Sequence, residues 1–450
     1  MSVHRLAFVR VALTLACAAL MAPAAPASEL KDLVRQLRDS RGPDHVAEPA
    51  PPLGAEEASR IWDAFLTSLV KHAGRDAEND LLRDDLLAVL LTDRHQVVAS
   101  ALDGDGTRWL NDHFDAAWPQ VEAVLQRVAD ALPPGRATAY RQLLSNGELL
   151  RVARAHGILR GDRISPDALR TLARTIVPNG DGDPIAWSPA VDPELRRIFG
   201  FENDLPEPVA SPLLPHAEPT AFLVSPLATL ARALDGLGDW LVPTANAEAT
   251  GWDWHTLVTR LNDWIPADKR ELAEYLPMVQ QMLDSTAQTL AGRRLPAEHF
   301  EVYRDLVVAT AWQESCWRQY TKKDGHVAPV VGPGPSFGLM QVNTRVWRGL
   351  YDARGVTTDI GYNGRAGAEI LYHYMRGHAL RAKEHLAPGG EDNLARATYA
   401  AYNGGPGHLT RYRMPTTSPR LRAVDTEFWQ KFQAVESDDE SAFYSCAVKG

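Results

Sequence analysis

Apolar positions recur at helical intervals along most of this chain, and strand-like alternation is sparse in its C-terminal half. Val121, Val124, Leu125, Val128 and Leu132 share one face of a predicted helix that Pro133-Pro134 stop. Ser165-Pro166 reads as an N-cap and a first-turn proline ahead of Leu169, Leu172 and Ile176. Residues 55–204 thus read as a helical domain without a convincing internal repeat. Pro206, Pro208, Pro212, Pro215 and Pro219 open a linker over 205–250. Inside it, Leu227, Leu230, Leu234, Leu237 and Leu241 line one face of a helix, with Arg232, Asp235 and Asp239 on the other. That polar face is not basic, so packing on another domain suits it better than an anionic membrane surface. From Trp252 the pattern is helical again, and Trp252, Trp254 and Trp264 read as core, with stacking on sugar as the alternative. The fold class expected is mainly α, with a helical N-terminal region joined by a Pro-rich linker to a helical domain over 251–450.

The N-terminus reads differently. His4, Arg5 and Arg10 precede an apolar run from Val11 to Ala22, and Ala25-Pro26-Ala27 resembles a small-residue cleavage site. Residues 1–27 are therefore expected to be a secretory signal peptide, too short in its apolar run to span a bilayer. Residues 28–54 are a polar, Pro-rich tether. A lipid anchor at Cys17 is not expected, because Thr14 stands where a leucine is usual and little apolar sequence precedes it. No other segment is long and apolar enough to cross a membrane, so the expected location is periplasmic or secreted.

Export changes the meaning of the cysteines. Beyond the signal only Cys316 and Cys446 remain, and an oxidising compartment favours one disulfide between them, closing a loop worth on the order of 4 kcal/mol in the chain-entropy model. A buried free thiol beside a frayed tail is the alternative. The formal charge of −10 and the lack of a long basic run argue against a nucleic-acid partner. Asp103-Gly104-Asp105-Gly106 and Asn179-Gly180-Asp181-Gly182-Asp183 lack the distal glutamate of a calcium loop and read as turns. His373 and His378 have no cysteine or histidine partners at zinc spacing, so neither a metal nor an organic cofactor is implied.

Three patches carry chemistry. Glu314-Ser315 ends an apolar helical run, where Glu314 would share a face with Val307, Thr310, Ala311 and Trp317. A carboxyl held there is poorly solvated, which raises its pKa and suits a proton donor; a glutamate bonded to a neighbour is the bland alternative. Gly338-Leu339-Met340-Gln341 follows Pro333-Gly334-Pro335, a loop able to approach a ligand closely, with Met340 on the floor and Gln341 facing sugar hydroxyls or acetamido groups; a rigid structural loop is the alternative. Leu394 to Tyr402 reads as a helix closed by Asn403-Gly404-Gly405, with Gly404 as its C-cap, Tyr402 able to reach the Glu314 carboxyl and Asn403 able to hold substrate.

The ordered set Glu314-Ser315, Gly338-Leu339-Met340-Gln341 and Ala401-Tyr402-Asn403-Gly404-Gly405, with Asn363 and Ala366-Gly367 between the last two, resembles the catalytic domain of the soluble lytic transglycosylase family over about 295–415. The resemblance implies a goose-type-lysozyme-like helical domain acting on peptidoglycan glycan strands. It implies Glu314 as general acid and then base. Ser315, Gly338, Leu339, Met340, Gln341, Tyr402 and Asn403 would bind saccharide or orient Glu314. Cys316 and Val342-Asn343-Thr344 depart from the commoner pattern and bear on subfamily. No second acid belongs to the set; Asp324, Asp352 and Asp359 lie between its members in no recognisable setting. A hydrolytic muramidase and an inactive cell-wall-binding scaffold remain rival readings, and 55–204 is a candidate docking region for envelope proteins.

Overall fold

The computed structural model describes residues 53–155 (apart from 101 and 103), 164–201, 253–437 (apart from 293) and Cys446. The expected signal, the tether up to residue 52, the linker over 205–250 with its leucine-lined helix, and Trp252 lie outside the described residues.

The N-terminal region is helical over most of its described length, apart from 174–192, which is irregular but for a 3-10 turn at Asn179–Asp181. It comprises α1 (Ala55–Asp76), α2 (Asp80–Ala99), α3 (Gly106–Ala131), α4 (Pro134–Ala155), α5 (Pro166–Ala173) and α6 (Pro193–Ile198). The predicted face of α3 is buried: Val121, Val124, Leu125 and Val128 are at most 1% exposed, against Trp62, Phe65 and Leu69 of α1. Pro133 ends that stretch, while Pro134 opens α4, since a first-turn proline has no helical N–H to lose. Ser165 caps α5 by accepting from the Ala168 N–H. The two Asp/Gly clusters are turns where described: Asp105 caps α3, and Asp183 pairs with Arg170.

The C-terminal region adds α7 (Trp254–Leu261), α8 (Lys269–Ala291), α9 (Ala297–Ser315), α10 (Ala353–Thr358), α11 (Ile360–Tyr374), α12 (Asp392–Gly404) and α13 (Pro419–Glu436). Helix α9 is the central element, packed by α8, α11, α12 and α13. Its run Leu306–Ala311 is buried on all sides, as an axial helix of a bundle must be. Two short antiparallel hairpins interrupt the helices: β1 (Tyr320–Lys323) with β2 (His326–Pro329), and β3 (Ser336–Phe337) with β4 (Val342–Asn343). Trp254 donates to Thr286 and Trp264 meets Tyr275 edge-on, so both serve the core. No helix among the described residues is long and apolar enough to cross a membrane.

The two regions share one apolar core and are bolted by buried ion pairs. Asp63 of α1 accepts from Arg94 of α2 at 2.8 Å and from Arg348 of the C-terminal region at 2.5 Å. Burial pushes the Asp63 carboxyl up, but the two guanidiniums more than offset this and hold it below its ordinary range. Arg94 also donates to the Val346 and Arg348 carbonyls. A second bolt joins Arg196 of α6 to Glu369 of α11 at 3.0 Å, with the Tyr351 hydroxyl on the same carboxylate at 2.9 Å. Removing one partner of such a pair leaves the other charged and buried. Asp63→Ala is expected to lower stability by about 3–5 kcal/mol in urea unfolding at neutral pH, with two arginines left uncompensated. A loss below about 1 kcal/mol, the range of exposed pairs, would contradict this role.

Candidate active site

Helix α9 stops at Ser315 because Cys316 and Trp317 take left-handed backbone, at φ 54° and 59°. Trp317 therefore leaves the helical face that the sequence assigned to it; its ring turns back and donates to the Val308 carbonyl. Cys316 is disulfide-bonded to Cys446 across a Cα separation of 5.8 Å. The bond ties the C-terminal tail to the turn that follows Glu314.

Glu314 is half-buried on the floor of a cleft of about 880 Å³. Burial pushes its carboxyl up to about 7, against the opposing pull of a Tyr399 hydrogen bond, Lys431 and Arg411. The phenol on the carboxyl is Tyr399, donating to Oε1 at 3.0 Å, rather than Tyr402. Tyr399 lies one turn before Tyr402 on α12, and its ring stacks on Phe428 with centroids 3.9 Å apart, which fixes the hydroxyl in place. Tyr402 instead donates to the Met340 carbonyl at 2.5 Å.

That bond belongs to a set that holds the whole Gly338–Gln341 turn. The Leu339 N–H donates to Gln319 Oε1 and the Met340 N–H to Asn363 Oδ1, both at 2.8 Å. Ser315 Oγ donates to the Leu339 carbonyl at 2.7 Å. Gln341, left-handed at φ 48°, folds its amide back onto the Gly338 carbonyl at 2.8 Å. Gly338 is required at φ 74°, because a Cβ there would lie 2.2 Å from Gln319 and 2.6 Å from Asn363.

The cleft thus receives only part of the sequence-derived set. Glu314, Gln341, Tyr402 and Asn403 line it. The Leu339 and Met340 side chains are fully buried, Met340 against Gly367 of α11, so Met340 is core rather than floor. Ser315 and Gly338 stand behind the lining and shape the turn. Asn403 is exposed, its Oδ1 accepting from Arg411 at 2.9 Å, and Arg411 is itself clamped by Asp425. The cap of α12 is Gly405, at φ 91°; Gly404 is still helical. Gln341 Oε1 and Arg411 Nη1 are buried beside the cleft without hydrogen-bond partners.

Three contributors escaped the sequence reading. Tyr399 had a signal, its spacing of three from Tyr402. Gln319 and Arg411 had none. Nor did the opposite wall, which α2 supplies through Thr92, His95, Gln96, Val98 and Ala99. Glu314 is the only carboxylate lining the cleft among the described residues. Asp352 and Asp359 cap α10 and α11, and Asp324 sits exposed in the β1–β2 turn. No group of three or more His, Cys, Asp or Glu side chains suited to a metal ion occurs among the described residues.

The raised carboxyl has a consequence for stability. A glutamate that titrates near 7 when folded and at 4.5 when unfolded costs nothing below the lower value and its full penalty above the upper one. Glu314→Gln should match the parent in thermal stability at pH 4 and exceed it at pH 8. Melting curves at the two pH values test this, and an unchanged difference between them would contradict it.

Residues 294–419 match the family model described as Transglycosylase SLT domain. No curated protein and no solved structure matches the chain. The matched stretch, which carries α9 with its lone acid and the braced turn beside it, is therefore similar to a transglycosylase SLT domain, a lysozyme-like helical domain of a family that acts on peptidoglycan.

Proposed function

We propose that the protein is an exported lytic transglycosylase that cleaves the β-1,4 bond between N-acetylmuramic acid and N-acetylglucosamine and leaves a 1,6-anhydro end. The observation that carries the reading is the solitary desolvated carboxyl of Glu314, raised to about 7 in a cleft lined by no second acid among the described residues. Glycosidases that use water commonly need two carboxylates. One suffices when the sugar supplies its own nucleophile. Protonated Glu314 gives its proton to the glycosidic oxygen as the C1–O bond breaks. The muramic C6 hydroxyl then attacks C1, and the Glu314 carboxylate takes the hydroxyl proton. The acid is regenerated and no water is consumed. The neighbouring N-acetyl group stabilises the intermediate.

In this reading Tyr399 orients Glu314, while Gln341, Tyr402 and Asn403 face the glycan. Ser315, Gly338, Leu339 and Met340 act through the shape of the turn. Residues 251–450 form the catalytic domain and 55–204 the helical domain, with the periplasm or the cell exterior as the place of action. Because Tyr399 and Tyr402 have phenol pKa values pushed well above the ordinary by burial, both stay neutral donors across the working range.

Product mass on purified sacculi is the test. The anhydro product is one water lighter than a hydrolytic one, and a reducing-end product would refute transglycosylation. Glu314→Gln should lower activity by at least ~10²-fold, the usual worth of a positioned general acid; retained clearing in a zymogram would remove Glu314 from the chemistry. Activity of the parent should fall as the pH rises through about 7, where Glu314 loses its proton. Tyr399→Phe removes a bond that favours the charged form, so this limb should move to higher pH. A limb that stays in place would contradict the role given to Tyr399.

A further inference from the structure

Three groups act on Glu314 against its burial, and one helix holds all three. Tyr399 is fixed by its stack on Phe428 of α13, with centroids 3.9 Å apart. Arg411 is clamped by Asp425 of α13 at 2.8 to 3.1 Å. Lys431 lies on α13 itself, its Nζ 5.8 Å from the centre of the Trp312 ring. These are the phenol and the two cations that lower the Glu314 carboxyl against the larger, opposite effect of burial. Tyr402 of α12 also acts on the carboxyl, and His95 of α2, His408 and Arg420 line the same cleft.

Helix α13 runs antiparallel to α9. Asp425 and Phe428 stand at the Glu314 end, Lys431 lies over Trp312, and Glu436 at the far end feels the charge of Asp305. Cys446, beyond that far end, is back beside Glu314, bonded to Cys316 and packed on the apolar core. Both sides of α13 are therefore anchored, one by Arg411 and Tyr399 and the other through the bond. A terminal helix without such a tie frays from its free end. On the α9 side the bond grips the first residue past the helix. Cys316 and Trp317 are consecutive left-handed residues, a conformation that residues other than glycine adopt only under restraint. Trp317 is restrained by its indole on the Val308 carbonyl and by the Tyr275 hydroxyl, which donates to the Trp317 carbonyl at 2.9 Å. Cys316 is restrained by the disulfide.

We propose that the Cys316–Cys446 bond is a latch for the acid: it keeps α13 seated along α9 and Glu314 out of water, and the chain reaches full activity at neutral pH only when the bond has formed. The bond forms as the two thiols pass two electrons and two protons to a disulfide oxidant, which leaves as a dithiol. Opening it frees the tail, lets α13 lift at its far end and admits water to the carboxyl. Because burial is the largest influence on Glu314, hydration outweighs the loss of the three opposing groups, and the carboxyl falls toward its ordinary value. The latch rests on the glycan-cleaving reading given above.

The test compares the oxidised full chain with Cys446→Ser and with the parent folded first and then reduced by dithiothreitol, which gives up two electrons and two protons and leaves as its cyclic disulfide. The reduced parent covers the case in which the variant does not fold. Turnover of purified sacculi at pH 5 and pH 7 is read beside the carbon-13 titration of the Glu314 carboxyl, which needs no substrate. Opening the bond should lower the titration midpoint by about one unit, so that activity drops roughly fivefold at pH 7 and changes little at pH 5. An unmoved or raised midpoint would overturn the latch. So would equal losses of activity at the two pH values, the mark of a bond that only stabilises the fold. A lowered midpoint in a chain whose oxidised parent releases nothing from sacculi would uphold the latch and overturn the glycan-cleaving reading instead.

Discussion

Removal of water from one carboxyl is the constraint on which the site depends. The end of α9 offers Glu314 little solvation, because the run behind it, Leu306–Trp312, is buried on every face. Burial alone raises the carboxyl, and the groups that oppose the rise are one phenol and two cations at a distance. They leave the acid poised near neutrality rather than permanently neutral or permanently charged. A donor that must also accept a proton later in one reaction needs that balance.

Holding such a group costs structure elsewhere. The turn beside Glu314 has its amides and carbonyls claimed by Gln319, Asn363, Ser315 and Tyr402. These side chains spend their hydrogen bonds on backbone, so the turn keeps its shape whether or not a ligand is present. Left-handed backbone turns the chain sharply at Gln341 and, just past Glu314, at Cys316-Trp317. The Cys316–Cys446 bond anchors the second of these turns, and the stacked Tyr399–Phe428 pair anchors the phenol that reaches the acid.

Local features of this arrangement were legible in the sequence and relational ones were not. The buried face of α3, the Ser165 cap and the apolar run before Glu314 follow from spacing and residue type, and all three appear in the structure. Which of two tyrosines meets Glu314 depends on the rotation of α12 against α9, and the sequence reading chose Tyr402 where packing selects Tyr399. Met340 looked like cleft floor because its neighbours mark a ligand loop, yet Gly367 of α11 leaves room for its side chain in the core. The α2 wall had no local signal at all, since Arg94 reaches its carbonyl partner at Val346 across 252 residues of sequence. Composition and periodicity mark α2 only as part of a helical region over 55–204. Its role arises from the ion pairs that fasten it to the catalytic half.

Glu314 is in this light a desolvated acid with a displaced titration. Its side-chain carboxyl carbon, observed by carbon-13 NMR in the disulfide-bonded full chain with Glu314→Gln to assign the signal, reports this directly. Its titration midpoint should fall near 7. A midpoint at the ordinary glutamate value near 4.5 would show a solvated carboxylate and contradict it.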